Sequence, residues 1–338
     1  MNHRVVWLET GQSFEVAAGE AVLEAALRGE IALPHECQFG GCGTCRIKLV
    51  EGAVGYTSED GEAGELPMGL SPEEAEAGYA LACQARPTSD LVISVAPPLA
   101  CSSPTLLSAT VEGVQALTPD VTHLRLRLPA DADLVYRPGQ YMNVQLGDGR
   151  HRSFSMASRP NGGTVDFHVR RIPGGTFTEQ HLAALRAGQT LDVEMPHGNF
   201  CFHAEDYRPL VMVATGTGLA PIKSMLEALM DDEDCPPVSL YWGMRTEADL
   251  YLHDEIQTWA DRLYEFQYVP VLSRASDSWT GRRGYVQDAV LADLPDLSEH
   301  AIYLCGSPTM IADAKVAFAA RGASMDHLYA DSFVFQTA

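Results

Sequence analysis

Four cysteines near the amino end of the 338-residue chain have the type and spacing that redox chemistry needs. Cys37, Cys42 and Cys45 form a C-x4-C-x2-C run, and Cys83 follows at a distance. Thiolates at this spacing are typical ligands of a [2Fe-2S] cluster. Glycines lie between the cysteines, and a residue without a Cβ lets a loop turn tightly and direct its backbone N–H groups at sulfur. We predict that these four cysteines bind a [2Fe-2S] cluster and that the chain transfers single electrons.

Zinc binding and disulfide formation are the two alternatives for these cysteines. Structural zinc sites usually combine one close cysteine pair with a second close pair, but Cys83 stands alone before Gln84 and Ala85. Disulfide frameworks are typical of small secreted chains, and we expect no secretory leader in a long chain that opens Met-Asn-His-Arg. Both alternatives therefore rank below the cluster, zinc ahead of disulfides.

The acidic charge of the chain restricts its partners. The formal net charge is −22, which disfavours nucleic acid because phosphate contacts need clustered Lys and Arg. Residues 1–98 carry 5 basic and 15 acidic side chains, residues 99–206 carry 9 and 11, and residues 207–338 carry 9 and 19. The acidity of the first segment either steers a basic acceptor protein or only keeps the protein in solution.

Length and hydropathy bound the organisation of the chain. A length of 338 residues allows two or three domains, because a single core seldom grows beyond about 250 to 300 residues. No apolar run reaches the roughly 20 residues that a membrane helix needs. We expect a soluble, cytoplasmic monomer that binds no membrane.

Three segments differ in their hydrophobic pattern. Residues 1–98 predict a small α+β unit, with one helix over 22–28 and another that opens at Ser71-Pro72-Glu73-Glu74, where Ser71 is the N-cap. Residues 106–206 alternate polar and apolar side chains between turns, which predicts an antiparallel barrel with one helix near 177–186. Residues 207–338 repeat an apolar strand and a helix, which predicts a parallel sheet with helices on both faces.

Two glycine-containing loops follow apolar strands of the last segment. The first is Thr215-Gly216-Thr217-Gly218, and a helix predicted to begin at Pro221 would offer its amino end to a pyrophosphate. The third glycine of the usual dinucleotide motif is missing, so packing alone also explains this loop. The second is Cys305-Gly306-Ser307-Pro308, in which the cysteine is alternatively a small buried hydrophobe. Strand ends of a parallel sheet face one crevice, so we predict that both loops line it.

The strand Arg152-Ser153-Phe154-Ser155 presents a cation, a flat ring and hydroxyls. In a regular strand Arg152 and Phe154 share one face while the two serines share the other. An ordinary barrel strand is the alternative interpretation.

The order of these motifs along the whole chain resembles the [2Fe-2S]-flavin-NAD(P)H reductases of bacterial multicomponent oxygenases, within the ferredoxin-NADP reductase superfamily. The chain also resembles CDP-6-deoxy-glucoseen reductases of deoxysugar biosynthesis, on Trp279-Thr280-Gly281, Gly284-Tyr285-Val286 and residues 294–298. The resemblance implies a multidomain protein: a plant-type ferredoxin (β-grasp, α+β) domain at 1–98, an FAD-binding antiparallel β-barrel domain at 106–206, and an NAD(P)H-binding α/β domain with a parallel sheet at 207–338.

The resemblance also implies roles for individual residues. Arg152 pairs with the pyrophosphate of FAD, Phe154 stacks on the flavin where the family has tyrosine, and Ser155 reaches the flavin N5. Cys305 lies near the hydride-carrying carbon of the nicotinamide, and Asp331 lies against the flavin, so Ser155, Cys305 and Asp331 are the catalytic candidates. The other cofactor-binding candidates are His168, Val169, Arg170, Gly174, Gly175, Thr176, Thr178, Gly216, Thr217, Gly218, Arg245, Gly306 and Phe333.

The implied activity is NADH-dependent electron transfer through FAD, rather than FMN, and the cluster. Arg245 would suit the 2′-phosphate of NADPH, whereas Glu247 and Asp249 suit a ribose hydroxyl, which favours NADH and leaves NADPH possible. The expected acceptor is a partner oxygenase, a Rieske aromatic dioxygenase first, with a deoxysugar dehydrase, a cytochrome P450 or a di-iron monooxygenase as alternatives. A flavin redox-sensor or carrier module without turnover is the non-enzyme alternative.

Overall fold

The computed structural model describes residues 2–35, 38–41, 43–56, 64–95, 104–132, 135–147, 149–204 and 206–333. Cys37 and Cys42 lie outside these residues. The described chain forms three units: the first unit (residues 2–95), the middle unit (104–204) and the last unit (206–333), each with its own sheet. None of the helices in the described ranges is long and apolar enough to cross a membrane.

The first unit is a mixed sheet covered by one helix. Its five strands lie in the order β2-β1-β7-β3-β5, and β1 pairs antiparallel with β2 but parallel with β7. The helix at residues 22–28 is confirmed and ends at Gly29. The elements are β1 (His3–Trp7), β2 (Ser13–Val16), α1 (Val22–Arg28), β3 (Arg46–Glu51), β4 (Val54–Gly55), α2 (Pro72–Glu76), β5 (Tyr79–Leu81), β6 (Arg86–Pro87) and β7 (Leu91–Ser94).

Helix α2 begins where its capping residues predict. The Ser71 hydroxyl accepts a hydrogen bond from the Glu74 backbone N–H, and the Glu74 carboxylate accepts one from the Ser71 N–H. This reciprocal pair is a capping box, with Pro72 in the first turn. It holds the Glu74 side chain in a fixed orientation at the helix start.

The middle unit is a six-stranded antiparallel sheet in the order β11-β10-β13-β8-β9-β12. Among the described residues its edge strands meet at one isolated bridge, between Met156 and Phe167, so the predicted barrel is not closed by a continuous ladder. The helix predicted near 177–186 is a π-helical turn, Thr176–His181, followed by α3 (Leu182–Ala184). The strands are β8 (Thr105–Ala116), β9 (Val121–Arg127), β10 (Tyr141–Gln145), β11 (His151–Ser155), β12 (Thr164–Arg170) and β13 (Thr190–His197).

The last unit is a parallel sheet in the order β17-β16-β15-β14-β18-β19. The helix expected to begin at Pro221 begins earlier, at Leu219, after a 3-10 turn at Gly216–Gly218. The elements are β14 (Leu210–Thr215), α4 (Leu219–Leu229), β15 (Val238–Met244), α5 (His253–Gln257), which continues as a 3-10 turn at Thr258–Asp261, β16 (Phe266–Leu272), β17 (Arg282–Arg283), α6 (Val286–Asp293), β18 (Ala301–Gly306), α7 (Pro308–Ala319) and β19 (Leu328–Ser332).

Helices cover both faces of this parallel sheet, as predicted. Along β14, Leu210 and Met212 pack with α4 on one face, while Val211 and Val213 pack with α6 and α7 on the other. The buried side chains on the α6 and α7 face belong to one apolar cluster with the core of the first unit. Burial of apolar surface therefore joins the first unit to the last.

Gly139 marks the contact between the middle unit and α4. Its φ is +103°, and a Cβ there would lie 2.0 Å from the Phe200 carbonyl oxygen and 2.4 Å from the Met225 Cε. Gly139→Ala should therefore lower the thermal unfolding midpoint, with a loss of stability of about 2 kcal/mol or more, because strain and overlap add. Gly113→Ala is the matched control, because a Cβ at Gly113 meets no atom within 4 Å. Equal midpoints for the two variants would contradict this reading of the interface.

Candidate functional site

Strand pairing brings two of the predicted cluster ligands together. Strands β3 and β5 are antiparallel with Arg46 opposite Leu81, and the Ala82 N–H donates to the Cys45 carbonyl at 2.9 Å. Cys83 therefore lies beside Cys45, and both are buried, at 3% and 8% exposure. This pairing sets the position of the fourth cysteine relative to Cys45.

The loop between the cysteines is shaped by glycines and covered by residues 67–69. Gly40 and Gly43 have φ values of +80° and +79°, where a side chain would be strained. A Cβ on Gly40 would lie 2.8 Å from the Cβ of Pro67, and the Gly69 N–H donates to the Gly40 carbonyl at 2.8 Å. A tight, covered loop that leads to two buried cysteines on paired strand ends fits a [2Fe-2S] cluster.

The predicted flavin residues of β11 differ in burial. Ser155 is buried, and Phe154 is half-buried, with one side against Phe177 at 5.2 Å between ring centroids. Arg152 is half-buried and donates from Nη1 to the His151 carbonyl at 2.9 Å. A flat ring supported on one side, next to a buried hydroxyl, fits a stacked flavin.

The second predicted flavin segment forms a closed turn. The Thr178 hydroxyl accepts from the Ile172 N–H at 3.1 Å, and the Gly174 N–H donates to the Glu179 carboxylate at 2.8 Å. Gly175 lies at the same turn, where a Cβ would come within 2.5 Å of the Thr178 hydroxyl oxygen. The side chain of Thr176 lies outside the described residues.

His168 and Val169 direct their side chains into packed regions. Val169 belongs to the core of the middle unit. The His168 ring meets Tyr251 of the last unit edge-on at 5.2 Å between centroids, with 3.3 Å between its Nδ1 and the tyrosine hydroxyl. Burial, helped by the nearby Lys223 and His123, lowers the pKa of His168 to about 3, so the ring is neutral at pH 7. The His168 side chain thus joins two units, a contact that the sequence pattern did not signal.

Two strand ends of the last unit approach each other so closely that only glycine fits. A Cβ on Gly218 would lie 2.4 Å from the Cys305 carbonyl oxygen, and one on Gly306, whose φ is +133°, would lie 2.3 Å from the Thr215 hydroxyl oxygen. The Ser307 N–H donates to that hydroxyl at 3.0 Å. The two loops therefore converge in the structure, as predicted.

A crevice of about 410 Å³ opens at these strand ends. Gly216, Thr217 and Gly306 line it together with Val121 and Arg170 of the middle unit. The Arg170 guanidinium pairs with Asp120 at 3.2 Å, so this predicted flavin residue lies in the crevice between the two units. A concave site with glycine-rich strand ends fits a nicotinamide nucleotide.

Arg245 and Asp249 both line this crevice. The Asp249 carboxylate also accepts a hydrogen bond from the Thr246 backbone N–H at 2.8 Å. Ser273 and Tyr285 line it as well, although neither was singled out as a ligand contact from the sequence. Ser273 directly follows β16, a strand that the sequence analysis did not predict. The apolar run of that strand is the signal that would have placed Ser273 at the same edge of the sheet.

The last strand completes the edge of the crevice. Asp331 on β19 lies opposite Cys305 on β18, and the Phe333 N–H donates to the Gly306 carbonyl at 2.8 Å. Phe333 lines the crevice, whereas Cys305 is fully buried. Burial raises the pKa of Asp331 to about 6.

Three family models match successive parts of the chain. They are a 2Fe-2S iron-sulfur cluster binding domain at residues 5–88, an oxidoreductase FAD-binding domain at 108–202 and an oxidoreductase NAD-binding domain at 212–316.

Relatives match the chain along its length. A CDP-6-deoxy-L-threo-D-glycero-4-hexulose-3-dehydrase reductase of Yersinia pestis is 35% identical over 96% of both chains. Reductase component 1 of a terephthalate 1,2-dioxygenase from a Comamonas species is 33% identical over 98% of both. Among solved structures, a cytochrome P450 reductase of Amycolatopsis has a TM-score of 0.70, with 32% identity over 98% of both chains.

The raised pKa of Asp331 predicts a pH-dependent stability. Between its unfolded value of 3.8 and about 6, the folded chain binds a proton at Asp331 that the unfolded chain does not, so stability falls as pH rises through this window. Asp331→Asn should therefore unfold at nearly the wild-type temperature at pH 4, close to the unfolded pKa, and at a progressively higher temperature than wild type as the pH rises to 7.5. The control is Glu299→Gln, because the Glu299 side chain is 87% exposed. The difference in unfolding temperature between this variant and the wild type should be the same at both pH values. A pH-independent difference for Asp331→Asn would refute the assignment.

Proposed function

Because the chain belongs to the ferredoxin-NADP reductase-like family of [2Fe-2S] reductases, we propose that it is an NADH-dependent oxidoreductase that delivers electrons to a partner oxygenase. The observation that carries this proposal is the crevice shared by Gly216, Thr217 and Gly306 of the last unit and Val121 and Arg170 of the middle unit. A crevice built from both units supports the meeting of nicotinamide and flavin that hydride transfer requires.

The cofactors of this family are a [2Fe-2S] cluster, FAD and NAD(H). Bound FAD would supply the conversion of a two-electron hydride donor into single-electron transfer, so two one-electron acceptors would be reduced for each NADH oxidised. In our proposal Arg152, Phe154 and Ser155 hold the flavin, while Gly174, Gly175, Thr176 and Thr178 hold its pyrophosphate. We also assign the middle sheet to the flavin-barrel class and the first unit to the β-grasp class, within the predicted boundaries 1–98, 106–206 and 207–338.

Nucleotide binding in this proposal depends on backbone rather than on charged side chains. Gly216, Thr217 and Gly218 present the start of α4 to the pyrophosphate, and Gly306 permits close approach of β18. Cys305 acts as a positioning residue, because its fully buried side chain sets the backbone against Gly218. The Asp249 carboxylate, which lines the crevice with Arg245, favours the ribose hydroxyl of NADH.

The end of β19 supports a short route from the crevice to the cluster. Asp331 lies opposite Cys305, and the next residue, Ser332, lines a groove that also contains Gly41 and Gly69. The Ser332 hydroxyl oxygen is buried and has no hydrogen-bond partner among the described residues. In our proposal the terminal residues face the flavin, and their position next to Gly41 and Gly69 supports single-electron transfer from the flavin to the cluster.

The partner in this proposal is an oxygenase, with a Rieske aromatic dioxygenase as the first choice. The reductase component of a terephthalate dioxygenase and the electron transfer component of an anthranilate dioxygenase are both similar along the chain, which supports this choice. A dehydrase of deoxysugar biosynthesis is the second candidate, favoured by the relative that is 35% identical. Addition of each purified oxygenase or dehydrase to the protein and NADH separates the two, because only the true acceptor raises NADH oxidation coupled to product. We further propose that the protein is a monomer.

Purified protein with NADH tests the proposed function. Visible flavin and cluster bands should bleach on addition of NADH, and more slowly with NADPH, followed by rapid reduction of cytochrome c. Cys45→Ser should lose the cluster bands and most cytochrome c reduction, yet keep NADH-driven reduction of a two-electron dye, because FAD alone supplies that reaction. Loss of both activities in a variant with wild-type circular dichroism would overturn the modular route, and absence of any NADH-driven bleaching would overturn the function.

Cys305→Ala tests the positioning role of β18. It should slow flavin reduction by NADH roughly 10- to 100-fold, followed at the flavin absorbance in stopped flow, and should leave the cluster bands unchanged. Cys235→Ala is the matched control, since Cys235 is a buried cysteine of the same apolar core outside the crevice. Equal rates of flavin reduction for the two variants would contradict the positioning role of Cys305.

A further inference from the structure

A buried lysine of the last unit lies against the cluster loop of the first unit. Lys315 on α7 is 4% exposed. Its Nζ donates to the Gly69 carbonyl at 3.3 Å and lies 3.1 Å from the Glu74 carboxylate. Since lysine is seldom buried without a specific partner, this contact between units calls for a functional reason.

Glu74 is the anion that this lysine meets, and it is fully buried. Arg46, which follows the predicted ligand Cys45 in the chain, pairs with the same carboxylate. Burial opposes ionisation of Glu74, but Lys315 and Arg46 outweigh it and hold the pKa of the carboxyl below its ordinary value. Lys315 and Arg46 therefore share one ionised carboxylate.

Residues 67–69, which cover the loop between the cysteines, connect that loop to Lys315. Gly69 accepts from Lys315, and its own N–H donates to the Gly40 carbonyl at 2.8 Å. The Lys315 Nζ lies only 3.6 Å from the position of a Cβ on Gly43, between Cys42 and Cys45 in the chain. A largely buried positive charge therefore lies beside the loop that would hold the cluster, where water screens it little.

The same cluster of charges ties the two units together. The Arg46 guanidinium donates to the Met325 and Leu328 carbonyls of the last unit, at 3.1 Å each. Tyr79 and Lys48 of the first unit contact Asp326 nearby, but Lys48 and Asp326 are 43% and 60% exposed. Solvent screens that second pair, so the buried group around Glu74 dominates the local field.

We propose that Lys315 is a positioning residue that the nucleotide unit supplies to the [2Fe-2S] cluster: it fixes the cluster loop and raises the reduction potential of the cluster. Reduction adds one electron to the cluster, and a nearby buried cation stabilises the added negative charge. The cluster would then be a better acceptor for electrons from the flavin when the first unit is docked on α7. This inference rests on the proposed function, because it requires a bound cluster.

The test compares cluster midpoint potentials, measured by redox titration of the full-length protein with dithionite and mediators and followed by electron paramagnetic resonance. Lys315→Met should lower the potential, whereas Glu74→Gln should raise it, because the first removes a cation and the second leaves two cations without their anion. Lys315→Arg should retain the wild-type potential, and the double variant Lys315→Met with Glu74→Gln should return towards it. Lys48→Met is the matched control and should leave the potential nearly unchanged.

Opposite signs separate electrostatic control from simple undocking, because undocking would shift both single variants in the same direction. Equal or same-signed shifts for Lys315→Met and Glu74→Gln would overturn the inference while leaving the proposed function intact. Cluster bands absent from the wild-type protein would overturn both. Circular dichroism and thermal midpoints identify any unfolded variant, and in that case the Lys315→Arg and Lys315→Gln pair decides, with a lower potential expected for the glutamine variant alone.

Discussion

The close backbone contact between the ends of β14 and β18 is the constraint on which the rest of the molecule depends. Gly218 lies against the Cys305 carbonyl, and Gly306 lies against Thr215, with no room for a Cβ at either glycine. This contact sets the crevice floor, and β19 extends it by placing Asp331 beside Cys305. Since a parallel sheet gathers its strand ends at one edge, the two glycine-containing loops and the terminal residues converge there.

Docking of the first unit combines two kinds of interaction with different purposes. The shared apolar cluster supplies non-directional stabilisation, whereas the buried group of Glu74, Arg46 and Lys315 specifies orientation. Burial of charge is a weak source of stability, because desolvation offsets the attraction, but removal of one partner leaves a costly unpaired charge. The ion group therefore penalises misaligned docking more than it favours docking as such. Such selectivity suits a protein whose function requires a fixed distance between two redox centres.

Local signals in the sequence predicted more than long-range ones did. Helix α1 and the Ser71 capping box follow from periodicity and capping within a few residues, and the Gly-Thr-Gly loop follows from its place between a strand and a helix. The contact of His168 with Tyr251 joins residues 83 apart, and that of Lys315 with Glu74 joins residues 241 apart. No periodicity encodes such pairs. The closed barrel predicted for the middle unit also differs from the structure, in which no continuous ladder joins the described edge strands. Alternation of polar and apolar residues predicts strands, but it does not predict whether the two edge strands pair with each other.

Exposed charges and buried charges affect different steps in our proposal. Exposed charges affect the encounter with a partner, whereas buried charges affect the cluster loop. Acidic side chains outnumber basic ones by 15 to 5 in residues 1–98, and one of the fifteen, Glu74, is buried. An exposed acidic side chain would act on a partner through water, where fields decay over about 8 Å at physiological salt. Lys315 and Glu74 lie away from solvent, so salt screens them little. Ionic strength should therefore change the encounter rate with an acceptor while it leaves the internal energetics of the cluster loop nearly constant.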